Sequence, residues 1–259
     1  MNQTLIAEVS RLVKECERLF FATTNLQVTS KGPKDYVTQV DLAVSAYLEE
    51  HLPALVPGSK VISEESATSA GIDAGNYWII DPVDGTTNLI YGLPLYTISI
   101  GLLRNFEPVL GIVYNPYTKE LFAAAKGMGA YLNGQPISVN NDQCLKETLV
   151  LAETNPYANR KKSRTVKVLA EVFYDCIDYR ITGSAALDIC YIASGRGGIL
   201  FAEHLKTWDC AGGFAILTEA GGTYTNWQGK PFSLTEAAGD SLVASNGTLQ
   251  QIALQYTRE

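Results

Sequence analysis

Apolar residues recur every three or four positions at the start of the chain, at Leu5, Ile6, Val9, Leu12, Val13, Cys16, Leu19 and Phe20. Glu8, Arg11, Lys14, Glu15 and Arg18 fall on the opposite side, which predicts an amphipathic helix. The polar stretch from Ser30 to Asp35, with its Gly and Pro, predicts a loop. A second helix is expected from Thr38, with Val40, Ala43, Val44, Tyr47, Leu48 and Leu52 inward and Pro53 and Pro57 ending it. Thr38-Gln-Val-Asp41 has the form of a capping box. The pattern then turns strand-like. Tyr77 to Asp81 is a short apolar run that stops at Asp-Pro, and 95–104, 108–114 and 120–125 are β-rich runs separated by Gly, Asn and Pro. They predict an antiparallel meander, with Asn133-Gly134 as a tight hairpin turn.

Past about residue 146 the rhythm becomes strand, then helix. Runs at 148–152, 177–181, 199–202 and 241–244 are strand-like. Helical patterns follow them at 161–173, 184–194, 210–220 and near the C-terminus. Such alternation predicts α/β layering. No linker, low-complexity tract or fixed-period repeat separates the halves. Two tightly packed subdomains are therefore expected, residues 1–145 with an antiparallel sheet and residues 146–259 of α/β type.

Composition trims the functional choices. Over 259 residues, apolar types make up 46% and charged types 18%, an ordinary globular balance. Lys and Arg total 20 against 27 Asp and Glu, a net charge of −7. That surplus argues against a nucleic-acid binder, whose affinity comes from clustered cations. No apolar run approaches the ~18 residues of a membrane span, and no secretory pattern opens the sequence; a soluble, cytoplasmic protein is expected. Cys16, Cys144, Cys176, Cys190 and Cys210 are odd in number and nowhere spaced CxxC. Reduced thiols are expected, not a zinc framework or a disulfide scaffold. His51 and His204 are the only histidines, and both are read as structural.

Chemistry concentrates in Trp78-Ile-Ile-Asp81-Pro82-Val83-Asp84-Gly85-Thr86-Thr87-Asn88. A buried strand would deliver Asp81 to its carboxyl end, where α/β sheets place ligands, and Asp84 lies three residues on. Two carboxylates forced together need a cation between them. Oxygen ligands without His or Cys favour a hard ion such as Mg²⁺. A plain polar turn would give the same letters. The Asp-x-Asp-Gly-Thr motif of haloacid-dehalogenase phosphatases is a weaker rival, since here two residues, one of them proline, separate the acids. Further acids follow other apolar runs: Glu64 and Glu65 after Val61-Ile-Ser63, and Asp209 in Thr207-Trp208-Asp209-Cys-Ala-Gly-Gly. Read alone, the first two are a solvated loop, and Asp209 is a dipole-favoured acid beside a Thr207 cap.

In combination and in this order, these segments resemble the inositol monophosphatase family of metal-dependent, lithium-sensitive phosphatases. Asp35-Tyr-Val-Thr-Gln-Val-Asp41, Lys126-Gly-Met-Gly-Ala-Tyr-Leu-Asn-Gly-Gln-Pro, Gly183-Ser-Ala-Ala and Thr218-Glu-Ala-Gly-Gly extend the resemblance over nearly the whole chain. It implies a layered αβαβα sandwich of the inositol monophosphatase and fructose-1,6-bisphosphatase type. It also implies two to three Mg²⁺ ions: Glu64, Asp81 and the carbonyl of Val83 on the first, Asp81, Asp84 and Asp209 on the second, and Glu64 on a looser third. Thr86 with Glu64 would position the attacking water, with Asp84 beside them. Backbone N–H groups at Gly85 and Thr86 would receive phosphate. Gly183, Ser184 and Ala185 would line the polyol side, with Arg180 close by. Asp41, near Lys31 or Lys34, and Glu65 would stand behind the ligands. A homodimer formed through the β-rich half is the family's habit.

The substrate implied is a small phosphate monoester, inositol 1-phosphate first. The family's sugar-contacting acid falls in register on Ala202, with Glu203 displaced by one, so either Glu203 substitutes or the contact is lost. Lys206 and Thr207 before Trp208 look like the bacterial branch, which includes fructose-1,6-bisphosphatases, histidinol phosphatases and 3′-phosphonucleotide phosphatases. A catalytically silent, phosphometabolite-binding regulatory subunit is the alternative of another class.

Overall fold

The computed structural model describes residues 3–22, 25–66, 71–154, 163–235 and 239–258. Helix α1 (Gln3–Phe21) buries Val9, Leu12, Val13, Cys16 and Phe20 along one stripe, as the period requires. The segment expected as a loop is instead a hairpin, β1 (Val28–Gly32) with β2 (Asp35–Thr38). Its polarity fits, because most of β1 is exposed and a two-stranded ribbon lying outside the core needs little apolar surface. Helix α2 (Gln39–Leu55) begins at an intact capping box formed by Thr38 and Asp41. Pro53 does not end this helix but lies inside it. Its missing N–H costs a single bond within the last turn, where water can reach the freed carbonyl.

The chain then builds a seven-stranded sheet from β3 (Lys60–Ser63), β4 (Asn76–Asp84), β5 (Thr97–Arg104), β6 (Glu107–Asn115), β7 (Glu120–Ala125), β8 (Ala130–Leu132) and β9 (Gln135–Ile137), in sequence order. A short helix, α3 (Thr86–Ile90), follows β4. Strand β3 is parallel to β4, and every later pair is antiparallel, so the meander is present. Asn133 and Gly134 join β8 to β9 with positive φ at both positions, which matches the twist of a two-residue hairpin.

After a single 3-10 turn at Leu145–Glu147 come β10 (Leu149–Glu153), α4 (Arg164–Val172), β11 (Asp178–Arg180), α5 (Ala185–Ala193), β12 (Ile199–Leu205), α6 (Thr207–Glu219), β13 (Thr223–Thr225), β14 (Asp240–Ser245) and α7 (Gln250–Tyr256). The helix expected over 161–173 starts at Arg164 behind the cap Ser163; Lys161 lies outside the described residues. Strand order in this second sheet is β11-β10-β12-β14-β13. Strand β10 runs parallel to both β11 and β12, as strand–helix–strand crossovers demand.

Five layers result. Helices α1 and α2 cover the outer face of the first sheet, and α5 and α6 fill the space between the sheets. Helices α4 and α7 cover the outer face of the second. Sandwiched on both sides, α5 buries eight of its nine residues, which explains why its sequence shows no polar face. Helix α6 presses onto the first sheet through glycines and the smallest side chains. A Cβ on Gly111 would lie 2.0 Å from the Gly212 carbonyl, and one on Gly101 would lie 2.6 Å from Ala211 Cβ. All five cysteines are free thiols. No described helix is long and apolar enough to cross a membrane.

Candidate active site

Strand β4 does not stop at Asp-Pro; it continues through Pro82 to Asp84. Pro82 has no N–H to give the ladder, and the pairing with β5 slips there, from Asp81 opposite Ser99 to Asp84 opposite Thr97. The slip is a β-bulge, which bends the strand and re-aims its side chains. Asp81, 2% exposed, turns back so that its Oδ1 accepts the Val83 N–H at 3.1 Å. Gly85 then enters α3 with φ of +92°, and a Cβ there would meet the Leu95 carbonyl at 2.7 Å. Only glycine meets both demands.

Thr86 stands at the start of α3, its hydroxyl 2.9 Å from the Val83 carbonyl and 3.0 Å from Asp41 Oδ1. Asp41 thus does two jobs. Its Oδ2 accepts from the Thr38 backbone N–H at 2.9 Å to close the capping box, and its Oδ1 holds Thr86. Burial pushes the Asp41 carboxyl above its ordinary pKa, against the hydrogen bonds from Thr38 and Thr86.

Asp84 reaches across to the other half of the chain and caps α5. Its Oδ2 accepts the Ser184 hydroxyl at 2.6 Å and the Ala186 N–H at 2.8 Å, and its Oδ1 takes the Ala185 N–H at 3.3 Å. A carboxylate is well placed at a helix N-terminus. Burial still pushes its pKa up to about 7, with the Glu153 charge adding to it.

Asp209 opens α6. The cap of this helix is Lys206 rather than Thr207. Thr207 lies within the helix and donates its hydroxyl to the Leu234 carbonyl at 3.1 Å, while Asp209 Oδ2 accepts the Lys206 N–H at 2.6 Å. Glu64 follows β3, and Lys31 from the β1–β2 hairpin bridges it at 2.8 Å and Glu65 at 3.0 Å. Asp41 has Thr38 and Thr86 for partners, and the Lys31 amine goes to the two glutamates.

These groups meet in one cleft of about 700 Å³ between the two halves of the chain. Glu64, Asp81, Val83, Asp84, Gly85, Thr86, Gly183, Ala185, Glu203 and Asp209 all line it. Ser184 and Asp41 stand behind the wall, fully buried. Arg180 is turned outward, paired with Asp178 at 2.5 Å. Glu203 is on the wall, but its Oε2 holds the start of α4, accepting from Ser163 Oγ at 2.8 Å and from Thr165 N–H and Oγ1 at 2.8 and 2.9 Å. Burial works to raise its pKa, and those donors overcome it and leave it lowered. His51 is structural: its ring stacks on Tyr47 and Nδ1 lies 2.7 Å from the Tyr47 carbonyl. His204 is not tucked away. It lines the cleft at a bulge in β12, with φ of +57°.

Two residues escaped the sequence reading. Glu153, at the end of β10, lines the cleft, and Asp188 lies fully buried in α5 behind it. A signal existed for each: an acid ends the apolar run Leu149-Val-Leu-Ala-Glu153, and an acid interrupts an otherwise apolar helix.

The donor set suits a hard cation. Asp81 and Asp209 are pushed well above the ordinary carboxylate range, first by burial and then by neighbouring acids, Glu64 and Asp84 for both. Buried carboxylates that raise one another's pKa lack positive charge, and the lining offers oxygen ligands throughout. Among the described residues, however, no three acids stand ready-made around one ion position. Glu64 is held by Lys31, Asp84 by α5 and Asp209 by the Lys206 backbone, so an ion would have to draw them from these donors.

A five-layer αβαβα sandwich with an acid-lined cleft between its sheets defines a class of metal-dependent phosphatases acting on small phosphate esters. The chain belongs to the inositol monophosphatase family, whose model matches residues 1–259. It is 35% identical over 232 residues to the fructose-1,6-bisphosphatase/inositol-1-monophosphatase of Aquifex aeolicus, covering 90% of this chain and 85% of that one. It is 37% identical over 235 residues to the Nus factor SuhB of Vibrio cholerae, covering 90% and 86%. The crystal structure of the extragenic suppressor protein suhB from Bartonella henselae superposes with a TM-score of 0.90 at 28% identity, covering 99% of each chain.

Proposed function

We propose that this protein is a Mg²⁺-dependent phosphomonoesterase for a small polyol or sugar phosphate, with inositol 1-phosphate as the first substrate to test. One observation carries the reading: Asp81 and Asp84 from the end of β4 and Asp209 from α6 are buried in a single cleft, where burial raises the proton affinity of all three and the Asp84 charge raises that of Asp81 and Asp209 further. Glu64, Asp81 and the Val83 carbonyl would hold one ion, and Asp81, Asp84 and Asp209 a second. A third would lean on Glu64. Bound Mg²⁺ supplies the positive charge that a dianionic ester and an attacking water need before they can meet.

The chain's own groups do the positioning. Asp41 holds the Thr86 hydroxyl from behind, and Thr86 with Glu64 would orient the attacking water. Backbone N–H groups at Gly85 and Thr86 would receive phosphate oxygens. Gly183, Ala185 and Glu203 would face the alcohol portion, Glu203 through the oxygen that α4 leaves over, while Ser184, expected beside them, supports Asp84 from behind the wall. We extend the reading to a cytoplasmic, lithium-sensitive homodimer without nucleic-acid or membrane partners. The Aquifex relative's name joins inositol and fructose substrates, so both belong in the assay, with histidinol phosphate and a 3′-phosphonucleotide. Phosphate release that needs Mg²⁺ on at least one of them is expected; no Mg²⁺-dependent turnover on any would overturn the proposal.

A regulatory reading has one observation in its favour, the Vibrio relative's name as a Nus factor. It predicts binding without turnover. All five residues expected at the reacting centre, Glu64, Asp81, Asp84, Thr86 and Asp209, are present and line the cleft, which favours the enzyme.

A further inference from the structure

The turn Thr182-Gly183-Ser184 is held from two sides. On the carbonyl side, Asn88 Nδ2 donates to Thr182 O at 2.8 Å and to Leu95 O at 2.6 Å. On the amide side, Glu153 Oε1 accepts the Gly183 N–H at 2.8 Å, the Ser184 N–H at 3.2 Å and the Thr182 hydroxyl at 3.4 Å. Ser184 in turn donates to Asp84. Glu153 therefore supports the wall of the cleft that would face the alcohol portion of a substrate, and it lines the cleft itself.

Behind it lies a second acid. Asp188 is 0% exposed; its Oδ1 accepts the Thr182 hydroxyl at 2.8 Å, and its Oδ2 has no donor among the described groups. Burial pushes both carboxyls up, and the neighbouring Glu153 charge pushes Asp188 further, well above the ordinary carboxylate range. Asp188 therefore keeps its proton, and Glu153, whose Oε1 accepts two backbone N–H groups, carries the negative charge on the alcohol side of the cleft. The amines among the described lining residues stand elsewhere: Lys31 is bound to Glu64 and Glu65, and Lys206 is at the start of α6 beside Asp209.

We infer that Glu153 is a specificity-determining and positioning residue: it holds the Thr182–Ser184 turn, and its charge admits a neutral polyhydroxyl leaving group while rejecting one that carries a second anion. The inference rests on the phosphatase reading above. It turns that reading's open choice into an order: a polyol monophosphate ahead of a bisphosphate. Hydroxyls can donate to the Glu153 carboxylate, whereas a second phosphate would face it across a low-dielectric wall.

The test compares kcat/KM for inositol 1-phosphate and fructose 1,6-bisphosphate in saturating Mg²⁺, for the full-length protein and two variants. The wild type is expected to prefer the monophosphate by about tenfold or more. In Glu153→Gln, whose amide oxygen can still accept from the turn, the preference shrinks by about tenfold through a gain on the bisphosphate. In Asp188→Asn, whose amide can donate to Glu153, the preference persists. Equal use of the two substrates by the wild type, or an unchanged ratio in active Glu153→Gln, overturns the inference and leaves the phosphatase reading standing. Absence of turnover on both, with the rest of the substrate panel also silent, overturns the reading and this inference with it.

Discussion

The two walls of the cleft are built differently. The wall proposed to hold phosphate is one continuous stretch, Asp81 to Thr86, bent by a proline bulge and closed by a glycine that no other residue could replace. The opposite wall is assembled from Glu153, the turn at 182–184, the bulge at Glu203 and His204, and the first turn of α6. Its parts come from four elements and are joined by side chains. A wall made of one backbone segment holds its groups rigidly and serves any ester that reaches it. A wall made of hydrogen-bonded pieces can change one piece at a time. Such a division suits an enzyme that keeps its chemistry while its substrate varies.

The largest expected effect comes from the one acid that the second wall lends to the first. Asp209→Asn keeps the shape and its contact with the Lys206 N–H while removing a charge, and kcat/KM should fall about a thousandfold on every substrate, with circular dichroism unchanged. Near-normal turnover would remove Asp209 from the site. Next, Thr86→Val takes away the hydroxyl that Asp41 holds. A drop of about a hundredfold in kcat with little change in KM would mark the first wall as the place of chemistry.

A smaller and substrate-dependent effect is expected from Glu203→Gln. If Glu203 spends one oxygen on α4 and offers the other to the alcohol, KM for inositol 1-phosphate should rise several-fold, about a third of the way toward the effect of losing a charged hydrogen bond. A poorer substrate without hydroxyls near the phosphate should be unaffected. Equal losses on both would mean that Glu203 acts only by holding α4.

The mildest test concerns stability. Asp81, Asp84 and Asp209 take up protons more readily in the folded chain than in the unfolded one, their folded pKa values being raised, that of Asp84 to about 7. Their contribution is therefore fully present below the unfolded value of 3.8; that of Asp84 is lost as pH rises through about 7, and those of Asp81 and Asp209 as pH rises through their own raised values. With EDTA present, the Tm should fall between pH 5 and pH 8, and Mg²⁺ should flatten the slope. A metal-free Tm that rises over this interval would show that the buried acids are not the strained groups.

Much of the first wall was legible because its chemistry and its geometry are consecutive letters. An apolar strand, an acid, a proline, a second acid and a glycine describe both what binds and how the backbone turns. The layer order came through the family resemblance; from the letters alone only the one-sided burial of the amphipathic α1 was legible, while α5, apolar but for Asp188, shows its two-sided burial in the fold. Glu153 and Asp188 were not, because their meaning lies in each other and they are 35 residues apart. Glu203 was found but half understood: its hold on Ser163 and Thr165 depends on where α4 begins. The hairpin at β1 and β2 was missed because its pairing is made by backbone and leaves no apolar alternation. Pro53 misled for the opposite reason, as a breaker so near a helix end breaks almost nothing.

The contact between α6 and the first sheet has a consequence for how the molecule tolerates change. At Gly101, Gly111 and Gly212 sheet and helix meet with nothing longer between them than the Ala211 and Ala215 methyls and the Ser99 hydroxyl, so there is almost no rotamer to readjust and no methylene to trim. Most packed layers can absorb a mutation by sliding. This one behaves as a reference plane, and it carries Asp209 at its edge. Variation elsewhere in the sandwich can thicken or thin a layer while the distance from β4 to the start of α6 stays as it is. An added methyl at this contact would act as a shim, displacing an acid of the cleft without touching the cleft.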